Sequence, residues 1–124
     1  MVTSSRSGST SEKPAFGWLL RDDEVLATLE WATTFRQRSR GLLGRTGIEG
    51  AILLAPVRSV HTLGMRFPID VAFCDRDLVV LRTSCLVPNR VSPPVWRARS
   101  VIEAEAGAFE RWDLRVGDRL EARR

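Results

Sequence analysis

Val60-His61-Thr62-Leu63-Gly64-Met65-Arg66-Phe67-Pro68-Ile69-Asp70-Val71-Ala72-Phe73 is the stretch whose reading decides the fold. It leaves one alternating segment through His61, bends at Gly64 and Pro68, and enters an apolar strand at Ile69. Residues 69–74 and 78–83, joined by Asp75-Arg76-Asp77, form the clearest hairpin in the chain. The same stretch holds the only histidine and sets Asp70 at the mouth of the strand.

Working outward, the pattern stays β. Residues 15–20 and 24–31 flank Asp22-Asp23, a pair that suits a tight turn because Asp tolerates unusual dihedrals. Val25, Ala27, Leu29 and Trp31 alternate with more polar neighbours, as in a half-buried strand. Thr33-Thr34 can cap one helix over residues 35–43, with Gly44 past its last turn. Short strands follow at 51–54 and 57–61. Residues 86–99, interrupted by Pro88, Pro93 and Pro94, read as loop. Residues 100–106 alternate again, which sets Glu103 on the face opposite Ile102 and Ala104, exposed or lining a cleft. Residues 114–120 turn into a last strand. Seven or so short strands with one short helix predict a mainly β domain, a compact sandwich or barrel.

At 124 residues, 44% hydrophobic and 27% charged, the chain has the composition of one globular domain. Residues 1–14 are Ser/Thr/Gly-rich without an apolar centre, so they read as a disordered leader before a domain spanning 15–124. No apolar run is long enough to span a membrane, and a cytoplasmic setting is expected. The net charge of +4 comes mostly from the ends, leaving +1 for residues 15–122. That balance argues against nucleic acid as a partner. Cys74 and Cys85 have the spacing of neither a redox pair nor a metal hairpin, so free thiols are expected. With a single histidine, a metal site is not expected, and no motif implies a cofactor.

The residues with chemical potential are few. His61 is the one ready proton-transfer group. Asp70 reads first as a loop lock, its carboxylate accepting from backbone amides of the 64–68 bend or from Arg66. Its functional reading is a general base or ligand anchor. Glu103 could join Asp70 in a two-carboxylate arrangement. Met65 reads as a packing or rim residue of the same surface.

The stretches Arg40-Gly41-Leu42-Leu43-Gly44-Arg45, residues 61–73 as quoted, Ser100-Val101-Ile102-Glu103 with Gly107, and Val116-Gly117-Asp118 occur together in one order. On these the chain resembles domain-of-unknown-function family 192, small proteins of bacteria and archaea. Asp77 departs from the pattern, standing where the family's hairpin turn usually has a left-handed Gly. The resemblance implies a jelly-roll-like sandwich with a short helix. It makes Gly41, Gly44, Gly64, Pro68, Gly107, Gly117 and Asp118 structural motif residues, and it implies no established activity. The residues themselves support a non-catalytic module that binds a small molecule or a partner protein through His61, Met65, Arg66, Asp70 and Glu103. The alternative is a hydrolase or isomerase pairing His61 with Asp70 or Glu103.

Overall fold

A computed structural model describes residues 15–32 and 50–124. Its strands are β1 (Ala15–Arg21), β2 (Glu24–Ala32), β3 (Ala51–Leu54), β4 (Ile69–Cys74), β5 (Val80–Leu86), β6 (Ser100–Glu105) and β7 (Glu121–Arg123), with helix α1 (Ala108–Arg111) before the last. They form one sheet in the order β5-β4-β6-β3-β2-β1-β7. All neighbours are antiparallel except β2 and β3. The domain is mainly β, as expected. The helix expected over 35–43, with Gly41 and Gly44, lies outside the described residues.

Local chemistry explains the hairpins. Asp22 and Asp23 both take left-handed backbone, the geometry whose twist matches a two-residue β-turn. In the β4–β5 turn the Asp75 carboxylate accepts from the N–H groups of Asp77 and Val79 at 2.9 and 3.0 Å. The left-handed residue there is Leu78, φ 60°, rather than Asp77, because the Asp75 side chain already closes the turn one residue earlier.

The C-terminal segment ties the two edges of the sheet together at one end. Val80 N–H donates to Asp118 O and Leu120 N–H to Leu78 O, after which β7 pairs with β1. The sheet is barrel-like in this respect without being a closed barrel. Asp118 fixes the turn by accepting from Arg21 Nη1 at 3.0 Å and Arg115 N–H at 2.9 Å.

Both faces of the sheet centre are buried, so all six residues of β4 are inside. One face carries Ile52, Leu54, Ile69, Val71, Phe73 and Val101, and packs against Val57, Val60, Met65 and Ala98. These last belong to a loop layer, residues 55–68 and 87–99, that lies across the sheet. The other face carries Leu53, Ala72, Cys74, Ile102 and Ala104, and packs against Phe109 of α1 and Leu120. Residues 57–61, expected as a strand, make only the isolated bridge His61–Val91 within the loop layer. Their partner is the proline-interrupted segment, which cannot sustain a ladder.

Candidate functional site

The loop layer is knotted at Thr62, which is fully buried. Its N–H donates to Arg90 O at 2.7 Å, its carbonyl accepts from Asn89 N–H, and its hydroxyl donates to Val87 O and accepts from Arg90 N–H. Asn89 returns the contact through its side-chain oxygen, which accepts from Gly64 N–H at 3.0 Å. Further along, Ser92 N–H donates to Val60 O, Val60 N–H to Ser92 Oγ, and Val95 N–H to Arg58 O. Two irregular segments are thereby fixed as one slab.

Because Val60, Thr62 and Ser92 turn inward, the bridge partners His61 and Val91 turn outward. His61 is half-buried, its Nδ1 faces Leu63 N–H at 3.4 Å, and burial lowers its pKa. The loop layer also exposes Leu63, Val87, Val91 (61% exposed) and Trp96 (76%). Arg66 is exposed on this layer, while Met65, read from sequence as a ligand candidate, is buried in the core beneath it. Arg58 Nε donates to Trp96 O at 3.0 Å and holds the tryptophan backbone.

Asp70 is only 7% exposed and is a lock, but of a different loop from the one expected. Its Oδ2 accepts from Gly107 N–H at 3.0 Å and Phe109 N–H at 3.1 Å, so it ties β4 to the start of α1. Neither the 64–68 bend nor Arg66 supplies these donors. Gly107 bends the chain at φ 96°, a left-handed position open to glycine at no steric cost. Gly64 and Gly117 share that backbone. Opposite Asp70 in the β4–β5 register stands the exposed Cys85, a free thiol. Burial, then the charge of Asp70 and the hydrogen bond to it, push that thiol's pKa up, which makes it a poor nucleophile. Cys74, also free, is buried and pushed up to about 12.

Glu103 overturns its expected exposure. It is 0% exposed, between Val71 of β4 and Ile52 of β3 on the face under the loop layer, and neither carboxylate oxygen has a hydrogen-bond partner among the described residues. Burial pushes its pKa up to about 8.

The expected candidates therefore divide. His61 and Arg66 share the loop layer. Asp70 points to the other face of the sheet with Ala72 and Cys74, and Glu103 is interior. Asp70 and Glu103 sit on adjacent strands but back to back, so they form no two-carboxylate pair. The acid–base pairings of His61 with Asp70 or Glu103 are likewise not assembled.

What the sequence reading overlooked is a charge pattern. Residues 50–69 and 78–102 contain Arg58, Arg66, Arg82, Arg90, Arg97 and Arg99 and no acidic residue. The described ion pairs lie elsewhere, between Arg21, Arg111, Arg115 or Arg123 and their carboxylates. Beside the loop layer, a cleft of about 270 Å³ is lined by Arg82 and Arg90 over Phe73, Leu86, Val87 and Val91.

Comparison with known proteins agrees with this architecture. A UPF0127 protein of Pyrococcus furiosus is 33% identical over 103 residues, 79% of this chain and 89% of that protein. One from Pyrococcus horikoshii is 30% identical over 95 residues, 73% and 83% of the two chains. Two solved structures share the fold. A Novosphingobium aromaticivorans protein of unknown function superposes with TM-score 0.70 at 19% identity, covering 94% of both chains. A Sinorhizobium meliloti protein, named provisionally as a transcription regulator, gives 0.74 at 22%, covering 93% of this chain and 98% of its own. The family model described as Uncharacterized ACR, COG1430, matches residues 19–122, and the chain belongs to that family, domain-of-unknown-function family 192.

Proposed function

We propose that this protein is a non-catalytic binding module whose recognition surface is the outer face of the loop layer, with His61 and Arg66 among its contacts, and whose partner carries negative charge. The observation behind this reading is the segregation of charge: six arginines and no carboxylate in the segments that build the layer and the adjoining strand β5. A surface of one sign attracts and orients a partner of the other. The hydrogen bonds through Thr62 favour the same reading, since a fixed slab loses little entropy on binding. Asp70 then serves the domain's integrity rather than recognition. A cytoplasmic setting goes with the proposal and suits two free thiols.

Inorganic polyphosphate, a soluble multivalent anion, tests the reading by thermal shift at low salt. It is expected to raise the unfolding midpoint. The rise should shrink in Arg82→Ser/Arg90→Ser and persist in Arg115→Ser, whose arginine is paired with Asp113 in the C-terminal turn. No shift, or equal loss in both variants, would overturn it.

A further inference from the structure

We infer that the anionic partner is the surface of a phospholipid bilayer, which the loop layer touches with its apolar side chains while its arginines contact headgroup phosphates. This rests on the binding reading above and goes further by naming the occupant.

The argument starts from what is exposed. Leu63, Val87, Val91 and Trp96 project from one slab, and they are four of the eight exposed large hydrophobics among the described residues. Leu63, Val87 and Val91 lie close together, since Thr62 bonds Val87 O and Arg90, and His61 bridges Val91. Trp96 stands further along, held through Arg58. Aliphatic tips on the same layer as an exposed tryptophan and the arginines Arg58, Arg66 and Arg90 match the chemistry of the lipid interface, where the indole sits at headgroup level and basic residues meet anionic lipid. The cleft between β5 and residues 87–93 adds a place for one phosphate. Arg82 and Arg90 line it, and Phe73, Leu86, Val87 and Val91 give it apolar wall beside Ser84 and Ser92. A phosphate with acyl chains attached satisfies both parts of that lining.

Nucleic acid fits the same surface less well. Bases need aromatic platforms to stack on, and among the described residues of this face Trp96 is the one exposed aromatic, whereas aliphatic tips add nothing to stacking. None of the described helices is long and apolar enough to cross a membrane.

The test is co-sedimentation of the full chain with phosphatidylcholine vesicles, with and without phosphatidylglycerol. Binding is expected to the anionic vesicles and to be at least about tenfold weaker without phosphatidylglycerol. Each cationic side chain near an anionic leaflet contributes roughly fivefold, so Arg82→Ser/Arg90→Ser should weaken binding about twentyfold to thirtyfold. Bromine-labelled acyl chains should quench part of the tryptophan fluorescence, and that part should vanish in Trp96→Phe, a variant that leaves the core untouched. Quenching that survives in Trp96→Phe, or equal binding to both vesicle types, would overturn the inference. If polyphosphate binds through Arg82 and Arg90 and vesicles do not, the lipid is wrong and the binding module stands. If neither binds, both fall. Tighter binding to a single-stranded oligonucleotide than to the vesicles would make the partner a nucleic acid and also overturn the lipid.

Discussion

Asp70 and Glu103 sit on neighbouring strands of the same sheet, both buried, and face opposite ways. One carboxylate accepts two backbone N–H groups where α1 begins; the other has no partner for either oxygen among the described residues. A buried charge is tolerated when hydrogen bonds replace water, and is otherwise neutralised by keeping its proton. The α1 face has therefore been closed with a charge-assisted lock. The face under the loop layer stores an acid that is protonated at neutral pH.

The largest expected effect tests the uncompensated member of the pair. Folded, Glu103 keeps its proton up to about 8; the ordinary glutamate value is 4.5. Between those values the unfolded chain holds fewer protons than the folded one, so stability falls as pH rises. The contribution is fully present below pH 4.5 and gone above pH 8, with a limiting slope of about 1.4 kcal/mol per pH unit. From pH 5 to 7.5 wild type should lose on the order of 3 kcal/mol from this group. Glu103→Gln removes the titration while keeping the shape, and urea unfolding across that range should give a flatter profile, with the variant the more stable at the alkaline end. Parallel profiles would mean Glu103 finds a partner in solution, and the contrast between the faces would collapse.

Asp70→Ala attacks the compensated member. Two N–H groups would lose their acceptor at a part-buried turn, a cost of about 2–4 kcal/mol. Asp70→Asn should recover part of it, since the amide oxygen can still accept. Gly107→Ala is the companion variant. Its Cβ would meet only Arg111 Nη1 at 3.6 Å, so the expected loss of about 1–2 kcal/mol is the left-handed backbone alone. Chemical denaturation measures all three. An Asp70→Ala variant as stable as wild type would show that α1 docks on Phe109 packing without the lock.

How much of this was legible beforehand follows from the range of each signal. The β1–β2 and β4–β5 hairpins were readable because alternation and Asp-rich turns act over a few residues. That Asp70 would be a backbone lock was readable too, from a carboxylate at a strand mouth. Its donors were not, because Gly107 and Phe109 lie 37 and 39 residues on. Alternation set Glu103 opposite Ile102 correctly, but alternation reports faces and not which are wet; here the loop layer covers the second face. Helix α1 is four residues long and leaves no period to detect. The arginine surface was present in the sequence as two acid-free stretches, and a net charge summed over residues 15–122 averages it away.

The smallest expected effect sharpens the comparison from the other side. Beside the Asp70 lock, Arg111 Nη2 donates to Glu105 Oε1 at 2.6 Å, a shorter contact than either bond Asp70 makes. Its side chains are 58% and 53% exposed, however. In water the attraction is screened, and two long side chains give up rotamer freedom to hold the geometry, so such pairs contribute about 0–1 kcal/mol. Arg111→Ala should therefore leave the unfolding midpoint almost unchanged, and added salt should not separate the variant from wild type. A loss as large as that of Asp70→Ala would mean α1 is held from its exposed end, and that burial is the wrong criterion for ranking the carboxylates of this face.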